Sequence, residues 1–382
     1  MKFNVQSIAE SGLRKYQLRP TTSFFKYLTT KFKYLTTKPR QFEKLKMKVN
    51  RKSCYLLVCW NPRKTFTRIL YLYPSILFLS LSAISYYISL PFIYLLSATP
   101  FFILYRLSDG VYFVLYHLLG YRKKVVLANL KNSFPEKTEE EINGICKKYY
   151  HHLCDLFLEV LKTLTISKKA MIKHCAFDPE TKKLLDRLAD ERKSVILVLG
   201  HQGNWEWAGS SFSLLCKQQL YVIYHPLSNK YFNGLMHRIR TRFKGKTITM
   251  RDTYKEMLLS KRSGEISATA FLADQTPHPK NGYWTHFLSQ ETPVFRGTEL
   301  IAKKLNYPIV YASIKKIKRG YYEIFAEILE EFPTQTSDGM LSELHTRKLE
   351  KDIIEQPETW LWSHRRWKHQ RPVDLGIANS TK

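Results

Sequence analysis

A histidine and a glutamate five residues apart, His201 and Glu206, form the combination in this 382-residue chain best suited to chemistry. They lie in the sequence Ser194-Val-Ile-Leu-Val-Leu-Gly-His-Gln-Gly-Asn-Trp-Glu206. An imidazole whose one ring nitrogen is held by a carboxylate can take a proton from a hydroxyl with its other nitrogen. We therefore expect His201 to act as a general base and Glu206 to orient it. The motif offers no serine or cysteine as a nucleophile, which favours direct attack by an acceptor hydroxyl over a covalent enzyme intermediate.

The spacing alone does not establish this pair. Five steps along a straight helix leave two side chains about 140° apart. A turn from loop to helix must therefore bring Glu206 back toward His201. A histidine that caps a helix or packs in a core is an equally good interpretation of the pair by itself.

Alternating strand and helix patterns surround the motif. Short apolar runs predict strands at Ser194–Leu199, Leu220–Tyr224, Ile266–Ala273, Pro308–Ile314 and Tyr321–Ile328. Amphipathic stretches predict helices near Trp205–Gln218, Tyr231–Phe243, Thr253–Lys261 and Pro293–Leu305. Upstream, Thr138 and Glu141 form a capping box that predicts a helix start. The pattern predicts an α/β fold with a mixed sheet and helices on both faces, with His201 at the carboxyl end of a strand, where such sheets bind ligands.

The composition excludes several classes of protein. With 44% hydrophobic residues and ordinary numbers of glycine and proline, the chain can bury a core and is neither collagen-like nor globally disordered. Six scattered cysteines form no zinc pattern, so we expect reduced thiols and no metal site. No glycine-rich phosphate loop or dinucleotide fingerprint occurs, and we expect no cofactor.

The charge is concentrated at the start of the chain. The whole protein has 61 Lys or Arg against 32 Asp or Glu, a net charge of +29, and residues 1–68 hold 17 of the bases with two acids. This arm contains a direct repeat, FKYLTTK, twice in succession from Phe25. We interpret it as a low-complexity segment, either a solvated tail or an extension from an early start codon; binding to acidic lipid or nucleic acid is the alternative.

A segment without charged residues follows, from Ile69 to Tyr105. It is long enough for a spanning helix of about 20 residues, although Pro74, Pro91 and Pro100 argue against one continuous long helix. We expect a membrane-anchoring helical segment over 69–105, as one span, a re-entrant hairpin or an interfacial anchor, with a buried core helix as the alternative. The expected organisation is thus arm 1–68, anchor 69–105, catalytic domain 106–372 and tail 373–382.

The arm and the anchor disagree about orientation. The positive arm should remain cytoplasmic, so a single span would send the body outside. The activity implied by the resemblance described below requires the domain 106–372 to be in the cytoplasm. Either the segment does not cross once, or the arm is not part of the natural protein.

The motif His-Gln-Gly-Asn-Trp-Glu resembles the HTGNWE-type motif of the lipid A late acyltransferases, within the wider glycerolipid-type acyltransferases that carry H-x4-D/E. The resemblance extends in order over roughly residues 70 to 372. It includes Gly120-Tyr-Arg-Lys-Lys-Val-Val, Asn129-Leu-Lys-Asn-Ser-Phe-Pro135, Tyr224-His-Pro-Leu-Ser-Asn229, Ala273-Asp274-Gln and Trp362-Ser-His-Arg-Arg-Trp-Lys368. The arm shares no motif with it.

This resemblance implies transfer of an acyl chain from acyl carrier protein to a hydroxyl of a lipid A precursor, in lipopolysaccharide biosynthesis. It implies His201 as base and Glu206 as its carboxylate. Substrate-binding residues carried over from it are Asn204, Arg240, Arg251, Asp274, Arg365 and Arg366. The arginines could bind acidic headgroups or stabilise the oxyanion, and Asp274 could position substrate. For each arginine a solvated surface charge is the alternative, and for Asp274 a turn cap. It also implies an inner-membrane enzyme whose catalytic domain faces the cytoplasm, and a basic body would attract both acidic acyl carrier protein and phosphorylated lipid.

Two departures from the family leave details open. Many relatives have Tyr-Arg-Pro where this chain has Tyr224-His225-Pro226, and some have Asp-His-Asp where it has Asp274-Gln275-Thr276.

An alternative acceptor to the lipid A precursor is a lysophospholipid or an aminolipid. A membrane-anchored nucleic-acid-binding protein and an inactive lipid-binding scaffold are the alternatives outside enzymes, but the body carries no nucleic-acid-binding signature and we expect no nucleic-acid partner.

Overall fold

The computed structural model describes Tyr55–Cys59, Arg68–Leu72 and residues 74–371, with side chains from Leu81 onward. The chain divides into two units after Ile84. In the first, strands β1 (Tyr55–Cys59) and β2 (Arg68–Leu72) pair antiparallel. Most of the predicted arm, 1–68, and the predicted tail, 373–382, lie outside the described residues.

The predicted anchor forms mainly helices. Helix α1 spans Pro74–Ala98, followed by α2 (Phe101–Tyr112) and a π-helical turn, Phe113–Leu118. Pro100 is the N-cap residue of α2, as a proline at a helix start allows. As expected, the segment is not one continuous long helix: it begins at Pro74 and is interrupted before Pro100, whereas Pro91 lies inside α1 without ending it. Within the described residues, one helix, at Leu81–Ala98, is long and apolar enough to cross a membrane.

The second unit is an α/β domain. After α2 come α3 (Lys123–Ser133) and α4 (Glu139–Lys162), the latter starting at the predicted Thr138 capping box. The remaining helices are α5 (Lys168–His174), α6 (Pro179–Asp190), α7 (Trp205–Leu215), α8 (Lys230–Thr241), α9 (Thr253–Ser263), α10 (Gly297–Leu305) and α11 (Met340–Glu355).

One mixed sheet of seven strands forms the centre of this domain. The strands are β3 (Cys175–Phe177), β4 (Val195–Leu199), β5 (Gln219–Tyr224), β6 (Lys246–Thr249), β7 (Ser267–Leu272), β10 (Ile309–Lys318) and β11 (Tyr321–Glu330), in the order β3-β11-β10-β4-β7-β5-β6. All neighbours are parallel except β10 and β11, which form an antiparallel pair. A separate hairpin joins β8 (Gly282–Phe287) and β9 (Gln290–Phe295). The predicted α/β class with a mixed sheet is confirmed.

Helix α1 packs on the body through its second half. Tyr86 stacks on Tyr231 of α8, and the ring of Phe232 meets it edge-on. Farther along, the Tyr94 hydroxyl accepts a hydrogen bond of 3.0 Å from Arg238. The two helices therefore run in the same direction, and the second half of α1 lies along α8 from its first turn to its last.

Candidate active site

Two neighbouring parallel strands bring the key side chains together. Strand β4 is buried along its whole length and ends at Leu199, directly opposite Leu272 at the end of β7. The amide of Ala273 donates to the carbonyl of Leu199 at 3.1 Å, which extends the ladder by one step. His201 and Asp274 follow at the same carboxyl edge of the sheet, so their side chains meet.

The Asp274 carboxylate is hydrogen-bonded to the His201 imidazole. Its Oδ1 lies 2.7 Å from Nδ1 of the ring, and its Oδ2 accepts from the His201 amide and from Trp360 Nε1, both at 2.8 Å. The carboxylate side chain is 2% exposed, whereas that of His201 is 17% exposed. Burial by itself would raise the pKa of Asp274, but the neighbouring His201 and these hydrogen bonds outweigh it and lower the pKa to about 2. Asp274 is therefore an ionised acceptor at neutral pH.

The pairing determines what the ring can do. With Nδ1–H directed at a carboxylate, the neutral imidazole has its lone pair on Nε2. That nitrogen lies 3.5 Å from the Gln275 side-chain amide, and the Trp205 ring stands edge-on to the imidazole at 5.0 Å. A partly exposed, oriented Nε2 can accept a proton from a hydroxyl.

Glu206 does not orient His201, and that expectation is corrected. Both of its carboxylate oxygens accept from Arg240: Nε donates at 3.0 and 3.2 Å and Nη2 at 2.5 Å. Glu206 lies in the first turn of α7, and its pairing with Arg240 directs its side chain toward α8. Arg240, predicted to bind substrate, is instead paired here, and only 22% of its side chain is exposed.

Asn204 is fully buried; its Oδ1 accepts from the Trp207 amide at 2.9 Å as the N-cap of α7, and its Nδ2 donates to Glu159 at 2.8 Å. Both ends of the amide are thus engaged inside the protein, where Asn204 caps α7 and is bonded to α4. The predicted contact with substrate stays a prediction.

The turn between His201 and α7 needs a glycine. Gly203 has a φ of +60°, in the left-handed region, and a Cβ there would lie 2.5 Å from the carbonyl oxygen of Ile314. The Gly203 amide donates to Thr359 at 3.1 Å, and the His201 carbonyl accepts from Leu361 at 3.1 Å. Residues 359–361 therefore hold the turn between His201 and α7 in place through backbone hydrogen bonds.

The remaining predicted arginines are not brought together. Arg251 is exposed between β6 and α9, and Arg365 is exposed in the closing segment. Arg366 is almost fully buried, donates to Thr292 Oγ1 and lies over the Phe287 ring. Burial lowers the pKa of Arg366 to about 10, partly opposed by Asp274, so it is still a cation at neutral pH.

Sequence reasoning missed three residues of this site: Trp360, Gln275 and Glu159. Asp274 directly follows a predicted strand, which was a usable signal for a site residue. Its contact with His201 could not be predicted, because that contact depends on β4 and β7 being neighbours in the sheet. Trp360 is 86 residues from Asp274, and no local pattern joins them. Among the described side chains, no group of three or more His, Cys, Asp or Glu has an arrangement that could hold a metal ion.

Comparison with known proteins gives two findings. The family model described as "Bacterial lipid A biosynthesis acyltransferase" matches residues 74–369. The chain is also similar to "Lipid A biosynthesis palmitoleoyltransferase" of Escherichia coli (strain K12) and to "Lipid A biosynthesis acyltransferase" of Shigella flexneri. Each is 24% identical over 255 residues, which covers 66% of this chain and 80% of the relative. The segment matched by the family model includes every element that surrounds His201.

Proposed function

We propose that this chain, which belongs to the bacterial lipid A biosynthesis acyltransferase family and is an acyltransferase enzyme, moves a fatty acyl group from acyl carrier protein to a hydroxyl of a lipid A precursor. The single observation that carries the mechanism is the His201–Asp274 pair at the carboxyl edge of the sheet. A buried, ionised carboxylate on Nδ1 and a partly exposed Nε2 are the requirements of a general base.

The proposed step is a direct transfer. His201 Nε2 takes the proton of the acceptor hydroxyl as its oxygen attacks the thioester carbonyl carbon. The tetrahedral intermediate then collapses, the carbon–sulfur bond breaks, and the imidazolium returns the proton to the departing carrier thiol. An ester and a free thiol result, and Asp274 stabilises the transient imidazolium without itself being protonated.

Buried positive charge supports the same chemistry. Arg366 is a cation inside the protein, and its Nε finds no hydrogen-bond partner among the described residues. A cation near a developing oxyanion lowers the energy of the tetrahedral intermediate. We keep Arg366 as a candidate for this role and Arg251 and Arg365, both exposed, as candidates for binding the phosphates of the lipid.

The overall charge favours the proposed donor and acceptor. The net charge of +29 is complementary to a small acidic carrier protein and to a phosphorylated lipid. Such complementarity raises association rates and orients partners more than it adds final affinity.

Membrane attachment is the third element of the proposal. Helix α1 exposes large apolar side chains, among them Tyr87, Ile88, Phe92 and Leu95, and α2 adds Phe102 and Leu107. An exposed apolar surface of this extent on adjacent helices is typical of contact with a bilayer. Because α1 packs along α8, which follows β5 at the carboxyl edge of the sheet, anchoring through α1 would keep the His201 edge close to the lipid. We propose the inner membrane, with the catalytic domain in the cytoplasm, where acyl carrier protein is found.

Mass spectrometry of lipid A tests the proposal. Lipid A from cells that contain this chain should include a species heavier by one fatty acyl group than lipid A from cells that lack it. Cells that carry His201→Ala should give the lighter species. The mass difference identifies the acyl chain, and fragmentation identifies the esterified position.

The same spectra distinguish the alternative acceptors. If lipid A is unchanged while a phospholipid or an aminolipid gains the acyl group, the acceptor in the proposal is wrong. If no lipid class changes, the proposed transfer itself is contradicted.

A further inference from the structure

Helix α4 carries a stripe of four buried ionisable residues that the mechanism above does not use. His152, Asp155, Glu159 and Lys162 follow one another at spacings of three and four, so they lie on one face of the helix. Their relative exposures are 2%, 1%, 0% and 7%. Groups of this kind are expensive to bury unless each is hydrogen-bonded, so their partners indicate what the stripe is for.

Two of the four residues bind the helices near the membrane. Lys162 donates to the carbonyls of Ser97 and Thr99, where α1 ends, at 2.7 Å each. Asp155 accepts from Ser108 of α2 at 2.7 Å and from Arg319. These contacts tie α4 to α1, to α2 and to the turn between β10 and β11.

Glu159 faces the catalytic turn. Its Oε2 accepts from Asn204 Nδ2 and from the Tyr322 hydroxyl, both at 2.8 Å, and its Oε1 accepts from the Tyr105 hydroxyl at 2.9 Å. Its backbone carbonyl accepts from Trp207 Nε1 at 2.8 Å. Burial and the nearby Asp155 raise the pKa of Glu159, while the hydroxyl donors oppose that rise. One residue thus holds both the N-cap and the first turn of α7.

His152 holds the residue before Asn204. Its Nε2 lies 3.2 Å from the Gly203 carbonyl oxygen and its Nδ1 lies 3.4 Å from Lys316 Nζ. Burial and Lys316 lower the pKa of His152 to about 3, so the ring is neutral. A carbonyl only accepts and an ammonium only donates, which assigns the ring proton to Nε2.

We propose that Glu159 and His152 are positioning residues for acyl transfer, which hold Gly203 and Asn204 and through them the imidazole of His201. The turn contains a left-handed glycine packed directly against the Ile314 carbonyl, so it has little room to shift without clashing. A displacement of about 1 Å at a reacting group can cost about 10²-fold in rate. The inference rests on the proposed function only for the choice of substrates in its assay.

Three variants of the full-length protein test this inference. Glu159→Ala removes the acceptor for Asn204 and should lower kcat by about 10- to 100-fold, with KM for the lipid acceptor within about twofold. Glu159→Gln keeps the shape and an amide oxygen for Asn204 and should recover kcat to within about threefold of the wild type. Lys162→Met is the matched control: it breaks another polar contact of the same stripe, but that contact lies at the end of α1. Thermal stability should therefore fall while kcat per folded molecule is retained.

A spectroscopic measurement tests the positioning of the His201 ring without any substrate. In ¹⁵N-histidine NMR, Glu159→Ala should shift the His201 ring resonances, whereas Lys162→Met should leave them in place. If Glu159→Ala does not fold, Tyr322→Phe, which removes one hydroxyl from the same carboxylate, should give the same ring shift and a kcat loss of about three- to tenfold.

Several results would overturn the inference: unchanged kcat and ring resonances in folded Glu159→Ala, no recovery in Glu159→Gln, or a kcat loss in Lys162→Met as large as that in Glu159→Ala. A wild-type protein that shows no transfer from acyl carrier protein would contradict the proposed function instead. The NMR comparison would still test the positioning.

Discussion

At the scale of residues, two carboxylates near the imidazole have separate tasks. Asp274 is buried, ionised and bonded to the ring, the His201 amide and Trp360. Glu206 is bonded to Arg240 and ties α7 to α8. Helix α7 is therefore held at its start by an ion pair, while the His201 ring, in the turn before it, is oriented by a carboxylate that follows the neighbouring strand β7.

The Glu206–Arg240 pair should show strong energetic coupling. Breaking one side of a largely buried ion pair leaves an uncompensated charge, so Glu206→Gln and Arg240→Met should each lower the free energy of unfolding by about 2–4 kcal/mol. The double variant should cost less than the sum of the two, because it leaves no lone charge. Chemical denaturation of the four proteins measures the coupling.

An exposed pair provides the control. Glu180 and Lys183 lie one turn apart on α6 with about three quarters of each side chain exposed, and the same cycle there should show no coupling beyond error. Additive effects for Glu206 and Arg240 would show that their contacts contribute no more than a surface pair does.

The sequence places His201 at the end of a strand but does not reveal its hydrogen-bond partner. His201 stands at the end of an apolar strand, which is a local signal. Its carboxylate comes from Asp274, 73 residues later, and that contact depends on the order of strands in the sheet. Glu206 was the expected partner because it was near in sequence, and the helix that starts between them carries it to another neighbour.

At the scale of elements, the strands with long apolar runs were predictable and the short or polar ones were not. All five predicted strands are present, with ends shifted by a few residues. The strands β3 and β6, of three and four residues, have too few side chains to establish a period. The predicted helix Pro293–Leu305 begins only at Gly297, because Gln290–Phe295 pairs with β8 in a hairpin. Pairing with a partner strand outweighs local helix preference there.

The stripe on α4 shows what periodicity alone overlooks. The capping box at Thr138 predicted the start of this helix, which is confirmed. The ionisable residues His152, Asp155 and Glu159 would be assigned to a solvated face by type, yet they are buried. Their burial is stabilised by partners from α2, the catalytic turn and β11, which no local pattern reveals.

At the scale of the whole molecule, buried histidines should make stability depend on pH. Burial lowers the pKa of His345 to about 4. Below pH 6.5 the unfolded chain binds a proton that the folded chain does not accept until pH falls to about 4, so stability is lost as pH falls through this window. The contribution from His345 is at most about 3 kcal/mol.

Thermal unfolding between pH 7 and 4.5 measures this dependence. The slope of stability against pH is proportional to the number of protons taken up on unfolding, and His345→Gln should lower that number by about one. His225→Gln, at an exposed loop position, is the matched control and should leave the slope unchanged. An unchanged slope in His345→Gln would mean that this histidine does not resist protonation in the folded protein.

We propose that this acyltransferase, attached to the membrane, uses the His201–Asp274 pair to move an acyl group from acyl carrier protein to a lipid A precursor. The most direct measurement is the initial rate of that transfer with purified full-length protein in detergent or vesicles, followed by mass spectrometry of the product. We expect His201→Ala to lose about 10²- to 10⁴-fold in kcat and Asp274→Asn to lose a comparable amount, with both proteins folded. Transfer by folded His201→Ala at close to the wild-type rate would contradict the account.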